Sequence, residues 1–471
     1  MIALMRDCVR ENTGTRQQDC KITKSKLMKT FAMGGVHPHD NKISTEAAIE
    51  QFPVPAQVVV LMNQHLGAPA TPIVAKGDKV KVGQLIGEAQ AFMCANVHSP
   101  VSGTVSKIDI CKDPFGLAKP AIYIDVEGDE WMETIDRTPD IKRECNLEPK
   151  QIVDKLKEMG IVGLGGATFP AHIKYSVPEG KKAEYLIINA VECEPYLTSD
   201  HRVMLEHAEE ICIGISILRK ALGVPNAYIG IENNKPEPIR VMREMAAKFE
   251  GIIVEPLKLK YPQGAEKQLI NAITGRRVPS GKLPIDVGCV VSNVGTTFAV
   301  YEAIQKNKPL IENILTVTGK NLPSQHNYQV RIGISYNDII KHSIGELPET
   351  TGKVISGGPM MGKAMCNLDG PTVKGASSVL VIDESEAVRA KESNCIRCGK
   401  CMHACPMGLE PYLFSALIKN GRYEEAGAHN ILDCIECGCC FFSCPANKPL
   451  LDEVRLGKNK YRGILAARSK K

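Results

Sequence analysis

Short apolar stretches separated by turn residues mark the first patterned part of the chain. Apolar and polar positions alternate across residues 55–127, and turn residues such as Gly77 and Gly103 interrupt the alternation. A period of two between turn residues is typical of short β-strands, so we predict a β-rich module here. Residues 1–27 are polar and show no period, and we predict that they are poorly ordered.

The pattern changes over residues 131–310, where helix-like and strand-like segments alternate. Ile152, Leu156 and Met159 share one face of a predicted helix, and "EYLIINA" from Glu184 is an apolar run typical of a buried strand. Alternation of this kind predicts an α/β domain with a parallel sheet. Ligands of such sheets bind beyond the carboxyl ends of the strands.

A β pattern returns over residues 311–382, with one helix expected over 337–343, and a small β-grasp module fits this pattern. The segment "SGGPMMG" (356–362) fits a glycine-rich turn better than a phosphate-binding nest. Beyond Glu453 the chain carries seven Lys or Arg and no Asp or Glu. This basic tail is either a solvated, partly disordered end or a segment that docks on an acidic partner or anionic lipid.

The composition is that of an ordinary globular protein. A length of 471 residues predicts about three or four domains, and 44% apolar and 24% charged residues are close to typical values. The net charge of +5 is too mild to indicate nucleic acid as a partner. No apolar run approaches the roughly 18 residues of a membrane span, and no signal peptide is evident.

Eighteen cysteines is a high number, and eight of them occupy the repeated ligand positions of two copies of one cassette. "CIRCGKCMHACP" begins at Cys395 and "CIECGCCFFSCP" begins at Cys434, both with the spacing Cys-x2-Cys-x2-Cys-x3-Cys-Pro. In such runs three thiolates bind one iron–sulfur cube and the fourth binds the cube of the other run. The spacing therefore predicts two [4Fe–4S] clusters, one held by Cys395, Cys398, Cys401 and Cys444 and the other by Cys434, Cys437, Cys440 and Cys405.

Zinc and disulfides are the alternatives for these thiols. Structural zinc usually takes two separated cysteine pairs rather than a triple followed by Cys-Pro. Disulfides require an exporting context, and the other ten cysteines are scattered without a pairing rhythm, which fits a reducing cytoplasm. Cys439 lies between two predicted ligands, and we interpret it as a bystander.

Three segments of the α/β region carry candidate binding chemistry. "GIVGLGGATFPAHIK" from Gly160 lets backbone amides approach an anion, with a tight structural turn as an equal alternative. "NAVECEPY" from Asn189 places Glu192 and Glu194 at a strand end, where they either hold sugar hydroxyls or form an exposed acidic loop. "VVSNVGTTF" adds polar side chains suited to the edge of a planar ring, namely Ser292, Asn293 and Thr296.

Together these segments resemble the flavin-binding subunit of respiratory complex I and of related hydrogenases. The resemblance implies contacts to FMN from Gly163, Gly165, Gly166, Lys174, Asn189, Glu192, Ser292, Asn293 and Thr296. It also implies that Phe169 and Glu194 face NADH. The chain departs from that family's pattern at Leu164, where the family has Arg, and at Val191, where it has Asp. "QGAEKQ" matches the family's Gly-Glu-Glu loop only loosely.

The β-rich module resembles the barrel-sandwich fold of lipoyl and biotinyl domains, including the element "SPVSGTV". Those domains present a modified lysine at a hairpin tip, which falls near Phe92 and Met93 here. No lysine occurs between Lys81 and Lys107. We therefore expect a docking or structural module without swinging-arm chemistry.

Residues 28–450 as a whole resemble the RnfC family of the Rnf electron-transport complex, through "GGVHPHDNK", "GLGGATFPAHIK", "NAVECEPYLTSDHR" and the two cassettes. That resemblance implies a peripheral oxidoreductase subunit on the cytoplasmic side of the cell membrane. It would exchange electrons between NADH and membrane or ferredoxin-like partner subunits through FMN and two clusters, within ferredoxin:NAD+ oxidoreduction coupled to Na+ or H+ transport. Hydride transfer to a flavin needs no acid or base from a side chain, so no catalytic residue is predicted.

Two other functions fit the same residues. One is a soluble flavin and iron–sulfur reductase similar to cobalamin reductases. The other is a flavin-free electron-transfer scaffold, which stays an alternative because Leu164 and Val191 depart from the flavin-binding pattern. The predicted organisation is multidomain, α/β and β. It comprises a poorly ordered extension at 1–27, a barrel-sandwich hybrid domain at 28–130, an FMN- and NADH-binding α/β domain at 131–310, a β-grasp module at 311–382, a two-cluster ferredoxin-like helical domain at 383–450 and a basic tail at 451–471.

Overall fold

The structure is a computed structural model that describes residues 28–468. The extension predicted to be poorly ordered, residues 1–27, lies outside the described residues. Within residues 28–468 no helix is long and apolar enough to cross a membrane.

Two small antiparallel sheets form the β-rich module. A first strand, β1 (Ile49–Gln51), precedes the module and joins a later sheet. The strands of the module are β2 (Gln57–Leu61), β3 (Thr71–Pro72), β4 (Lys79–Val80), β5 (Leu85–Glu88), β6 (Val97–His98), β7 (Gly103–Lys112) and β8 (Ala118–Val126). One sheet has the order β2-β8-β7-β4 and the other β3-β5-β6. Alternate residues of β2 and β8, such as Val58 and Ile122, are fully buried between the sheets, so the period of two in the sequence defines the core.

The middle of the chain alternates helices and strands. Its elements are α1 (Pro149–Glu158), α2 (Ala171–Tyr175), β9 (Tyr185–Asn189), α3 (Ser199–Glu206), α4 (Ala208–Leu222), β10 (Ala227–Glu232), α5 (Pro236–Ala246), β11 (Ile252–Leu257), α6 (Glu266–Thr274), a 3-10 helix (Pro284–Val287), β12 (Cys289–Asn293) and α7 (Val294–Gln305). The strands form the sheet β11-β10-β9-β12, and all of its pairings are parallel. The α/β architecture expected for this region is therefore present.

The register of this sheet decides where the candidate segments meet. β9 and β12 are neighbours, and Asn189 at the end of β9 pairs with Asn293 at the end of β12. Both strands thus deliver the residues that follow them to the same edge of the sheet. Local signals set the helix that begins there, because the Asn293 side chain accepts a hydrogen bond from the amide of Thr296 and caps α7.

A six-stranded mixed sheet follows. Five of its strands are β13 (Glu312–Thr318), β14 (His326–Arg331), β15 (Thr351–Ser356), β16 (Lys363–Ala364) and β17 (Ser378–Asp383). The helices of this region are α8 (Tyr336–Ile344) and the short α9 (Glu384–Ala387). The strand order is β1-β14-β13-β17-β15-β16, so the strand at 49–51 completes a sheet whose other strands come much later in the chain. The helix expected over 337–343 lies within α8. This sheet shares one apolar core with the β-rich module, in which Val58 and Ile122 join Leu315 and Tyr328.

Helices make up the C-terminal region. They are α10 (Lys400–Ala404), α11 (Pro411–Lys419), α12 (Tyr423–Ala428), a 3-10 helix (Ile431–Asp433), α13 (Cys439–Phe442) and α14 (Leu450–Arg468). Val454 of α14 packs into the same core as Phe414 and Ile418 of α11. Of the two alternatives for the basic tail, a partly disordered end is therefore wrong for residues 454–468, and docking on an acidic partner or anionic lipid stays a prediction. That stretch is helical because one face of α14 buries Val454 and Gly457 against its neighbours.

Candidate functional site

The glycine-rich segment closes into a narrow loop at the carboxyl edge of the parallel sheet. The Gly163 amide donates to the Phe169 carbonyl at 2.9 Å, and Val162 forms a bridge with Pro170. At the exposed tip, Gly166 has a φ of +105°, a conformation that favours glycine. A Cβ added to Gly166 would meet open space, so its backbone is accessible to a ligand.

The end of β12 touches this loop directly. The Leu164 amide donates to the Thr296 hydroxyl at 2.8 Å, and a Cβ on Gly165 would lie 3.2 Å from the Asn293 Cβ. The structure therefore brings together the glycine loop and the "SNVGTT" turn, as the resemblance implies. Ser292 and Thr296 are almost fully buried, and Ser292 shares a 2.8 Å hydrogen bond with the Tyr175 hydroxyl.

Asp200 joins the candidate site, although no motif in the sequence pointed to it. Its carboxylate accepts a 2.7 Å hydrogen bond from the Asn293 side chain, and its amide donates to Glu192 at 2.7 Å. Burial, and after it the charge of the neighbouring Glu192, raises the pKa of Asp200 to about 7. The signal was its place in "YLTSDHR", directly after the acidic segment, but nothing in that spacing says that the side chain turns back to the sheet edge.

The start of α6 completes this side of the site. The Asn189 side chain donates to the Gly264 carbonyl at 2.7 Å, and Lys174 binds both Glu266 at 3.1 Å and the Val291 carbonyl at 3.0 Å. The loosely matching "QGAEKQ" segment therefore lies beside the other candidate segments. Asn189 and Lys174 are held in place by the backbone of the sheet edge.

Glu192 and Glu194 of "NAVECEPY" are enclosed rather than exposed. Glu192 has a φ of +47°, and one of its carboxylate oxygens accepts from the Asp200 amide while the other has no hydrogen-bond partner within residues 28–468. Burial raises the pKa of Glu192, and the charges of Lys42 and Lys235 oppose that rise. The alternative of an exposed acidic loop is therefore wrong, because both carboxylates are buried.

Glu194 turns toward the "SGGPMMG" segment. Its carboxylate accepts from the Tyr261 hydroxyl at 2.9 Å and from the Met360 amide at 3.1 Å. A Cβ on Gly358 would overlap this carboxylate, so the segment approaches it as closely as a glycine allows. The glycine-rich turn thus binds an anion of the same chain. These contacts, and not open space beside Phe169, surround the Glu194 carboxylate.

Four of the predicted cluster ligands line one pocket. Its lining includes Cys405, Cys434, Cys437 and Cys440, which is the set assigned from the spacing. Leu451 and Val454 of α14 close the pocket on the apolar side. Four thiols around an apolar pocket suit an iron–sulfur cube, so the residues fit the group. Cys439 also reaches this pocket and is fully buried.

The other set lies nearer the surface. Cys401 and Cys444 lie close enough for their thiols to interact. Burial raises the pKa of the Cys401 thiol, and the Cys444 thiol raises it further. Cys395 and Cys398 are exposed. Within residues 28–468 no three His, Cys, Asp or Glu side chains are close enough to hold a single metal ion. Each thiolate of a cube binds a different iron, so its ligands lie further apart than those of one ion.

The candidate flavin segments and the pocket thiols are packed against each other. Tyr261, Cys437 and Cys439 belong to one apolar cluster, against which Cys193 and Met360 pack. Gln268 of α6 donates to the Pro406 carbonyl at 3.2 Å, directly after the ligand Cys405. A single layer of side chains therefore separates the "NAVECEPY" segment from the pocket.

Three family models match the chain. The Nuo51 FMN-binding domain covers residues 156–302, the RnfC Barrel sandwich hybrid domain covers residues 29–129, and the 4Fe-4S dicluster domain covers residues 387–445. The first range contains every residue that the resemblance assigns to FMN. The third contains all eight predicted cluster ligands. A barrel-sandwich module, an FMN-binding α/β domain and a dicluster domain are therefore the domain types of this chain.

Named relatives match almost the full length. The chain is 46% identical over 442 residues to the C subunit of the proton-translocating ferredoxin:NAD(+) oxidoreductase complex of Clostridium ljungdahlii, covering 93% of this chain and 95% of that protein. It is 42% identical to the C subunit of the Na(+)-translocating ferredoxin:NAD(+) oxidoreductase complex of Acetobacterium woodii, covering 93% and 98%. It is 40% identical to the C subunit of the ion-translocating oxidoreductase complex of Rhodobacter capsulatus, covering 92% and 84%.

Solved structures give a weaker likeness. The chain is similar to an NAD+-reducing [NiFe]-hydrogenase in the H2-reduced state, with a TM-score of 0.47 and 17% identity over 65% of this chain and 61% of that one. A likeness of that size carries no argument about function.

Proposed function

Because this chain belongs to the family of C subunits of ion-translocating ferredoxin:NAD(+) oxidoreductase complexes, we propose that it exchanges electrons between NADH and partner subunits. It does so as a peripheral oxidoreductase subunit on the cytoplasmic side of the membrane, holding FMN and two [4Fe–4S] clusters. The complex as a whole would couple ferredoxin:NAD+ oxidoreduction to Na+ or H+ transport. The observation that carries this proposal is the packing of the "NAVECEPY" segment against the cluster pocket through Tyr261.

FMN would be held at the carboxyl edge of the parallel sheet. A bound flavin exchanges a hydride with a nicotinamide and single electrons with iron–sulfur clusters. The open tip at Gly166 leaves backbone amides free to approach its phosphate. The residues proposed to hold FMN are Gly163, Gly165, Gly166, Lys174, Asn189, Glu192, Ser292, Asn293 and Thr296.

The nicotinamide side is proposed from Phe169 and Glu194. The Phe169 carbonyl closes the glycine loop, and the half-buried Phe169 ring is proposed to stack on the nicotinamide. Tyr261 and Met360 enclose the Glu194 carboxylate, so Glu194 would shape the nicotinamide side without direct contact to the nucleotide.

The two ligand sets have different roles. We call Cys405, Cys434, Cys437 and Cys440 the inner set, because they line the pocket beside the candidate flavin segments. We call Cys395, Cys398, Cys401 and Cys444 the outer set. Two of its thiols are exposed, and Ile396 between them is 68% exposed. An exposed apolar side chain beside a cluster is suited to docking an electron-transfer partner, so the outer set would face the partner subunit.

We also propose a β-grasp module for residues 311–382. The support is a mixed sheet with the single helix α8 packed on it. Its "SGGPMMG" segment would hold Glu194 in position at the boundary between the two cofactor sites.

The test is anaerobic purification, reconstitution with iron, sulfide and FMN, addition of NADH and low-temperature EPR. Reduced [4Fe–4S] signals after NADH support electron exchange through this chain. Signals that arise only with a strong chemical reductant would mean that the chain does not oxidise NADH by itself. FMN content after gel filtration separates this proposal from the flavin-free scaffold.

A further inference from the structure

The N-terminal segment "GGVHPHDNK", residues 34–42, runs between the two cofactor sites. At the end nearest the inner set lies Gly34, which has a φ of +66°. A Cβ added there would lie 2.5 Å from the Cys405 carbonyl carbon. The next residue, Gly35, donates its amide to the Ala404 carbonyl at 2.9 Å. Gly34 is therefore required for the chain to approach the loop that carries the ligand Cys405, whereas a Cβ on Gly35 would meet Lys260, Phe31 and the Tyr261 carbonyl.

Midway along the segment, Val36 is tied to Tyr261. Their amides and carbonyls exchange two hydrogen bonds of 2.8 and 2.9 Å. Tyr261 is the residue whose hydroxyl binds Glu194 and whose side chain packs beside Cys437. The segment thus holds the layer that separates the two sites.

The far end is anchored by Lys42. Its ammonium donates to the carbonyls of Glu192, Glu194 and Leu197 at 2.8, 2.8 and 2.6 Å. The Lys42 side chain is only 10% exposed, and its closest carboxylate oxygen, on Glu192, is 3.8 Å away. All three N–H donors of this ammonium therefore bind backbone carbonyls of one loop, while its charge still acts on the nearby Glu192 carboxylate.

That loop needs external support. Glu192 and Tyr196 have φ values of +47° and +71°, which are costly for residues with a side chain and persist only when surrounding contacts hold them. A second ammonium, that of the buried Lys235, donates to the Val191 carbonyl at 2.8 Å. The Asp40 carbonyl accepts from the Tyr196 amide at 2.9 Å. The loop conformation is thus held by Asp40 and Lys42 of the N-terminal segment together with Lys235 of the α/β domain.

We propose that residues 34–42 act as a strap that positions the candidate flavin loop and the Cys405 loop relative to each other, with Lys42 and Gly34 as its two anchors. Lys42 and Gly34 are positioning residues and touch no reacting atom. The proposal rests on the proposed function, because it concerns how FMN and the inner cluster are held. It gives a role to the motif "GGVHPHDNK", which contains none of the residues proposed to bind FMN, NADH or the clusters.

The experiment uses the full chain reconstituted with both clusters, and it titrates FMN into Lys42→Met, Lys42→Arg and Lys29→Met. Lys29 is the matched control, because it precedes the strap, its side chain is 41% exposed and its ammonium pairs with Glu255. In Lys42→Met the dissociation constant of FMN should rise at least about tenfold, since three buried carbonyls lose their donor. Iron and sulfide content should stay at the wild-type value. The dissociation constant of FMN for Lys42→Arg should lie between those of the wild type and Lys42→Met, because a planar guanidinium keeps the charge but cannot donate to all three carbonyls as the ammonium does.

A Lys42→Met chain that binds FMN within about twofold of the wild type, a difference smaller than one lost hydrogen bond, would overturn the strap. A wild-type chain that takes up no FMN would instead overturn the proposed function. Gly34→Ala tests the other anchor, and the reduced protein should lose the EPR signal of one cluster and keep that of the other. A folded Gly34→Ala chain with both signals unchanged would also overturn the proposal. If that variant does not fold, the Lys42 titrations decide.

Discussion

The two cysteine cassettes have the same spacing and almost the same backbone, yet their surroundings differ. Arg397 and Glu436 occupy the same cassette position, with φ values of +56° and +57°. Glu436 is paired with Lys458 at 2.6 Å and with Arg455 at 3.2 Å. Arg397 is exposed. The comparison shows that the cassette sequence sets the local fold, while the rest of the protein decides which set is enclosed and which faces outward.

Lys458 illustrates how the surroundings act. It belongs to α14, which follows both cassettes, and its ammonium also donates to the Cys434 carbonyl at 2.7 Å. This buried cation beside the inner set has no counterpart that contacts the outer set among the described residues. A positive charge and hydrogen bonds close to a cluster favour its reduced state. We therefore expect the inner cluster to be held and tuned by α14.

The largest effect should come from removing an inner ligand. Cys437→Ala should abolish one cluster and about half of the bound iron, because two equal cubes share eight ligands. NADH-dependent reduction of the outer cluster should be lost with it, since the inner set is the one that packs against the flavin segments and would receive the electrons first. EPR and iron analysis measure both. The matched control is Cys439→Ala, which removes a buried thiol outside the ligand set. Loss of a cluster in Cys439→Ala would instead mean that Cys439 is a ligand and that the assigned ligand register is wrong.

The next effect should come from Lys458→Met. The change leaves Glu436 and the Cys434 carbonyl without their partner, and it should lower the free energy of unfolding by about 2 kcal/mol, a discounted value because Glu436 is partly exposed. The reduction potential of the inner cluster should fall by about 50 mV, roughly a tenfold change for one electron. Redox titration followed by EPR separates the two clusters. Lys460→Met, an exposed lysine on the same helix, is the control. An equal shift of both clusters would contradict the specific contact.

A smaller effect should come from the exposed side of the comparison. Ile396→Asp should leave both clusters reducible by NADH in the isolated chain, with the potential of the outer cluster lowered by the new carboxylate beside it. It should raise the half-saturating concentration of the partner subunit at least about fivefold, as expected when an apolar contact at an interface is replaced by a charge. Steady-state electron transfer to the purified partner measures it. The control is Leu465→Asp, an exposed apolar residue on α14. An identical loss in both variants would point to a general charge effect.

The smallest effect concerns pH and the flavin edge. The pKa of Asp200 is raised to about 7, chiefly by burial, from a usual value near 3.8. The folded chain therefore keeps a proton that the unfolded chain has released, and stability falls as pH rises from about 4 to 7. Asp200→Asn should flatten that fall by at most about 1.4 kcal/mol per pH unit. Urea transitions followed by flavin fluorescence at pH 5, 6 and 7 measure it. Asp154→Asn, an exposed residue of α1, should keep the wild-type slope.

The sequence alone determined the features that depend on near neighbours in the chain. The two cassettes, the period of two in the β-rich module and the alternation of strands with helices are written within short windows, and each predicted the element that the structure contains. Two of the three segments that resemble flavin-binding loops directly follow β9 or end β12, so the parallel register of these strands was enough to bring those two together.

Only the tertiary structure decided which groups stand behind those segments. Lys42 binds Leu197 across 155 residues, Glu194 binds Met360 across 166 and Gln268 binds Pro406 across 138. No periodicity or spacing encodes such contacts, because each depends on how separately formed elements pack. The same packing turned Glu194 away from open solvent, buried Asp200, folded α14 over the inner set and left Cys395 and Cys398 at the surface.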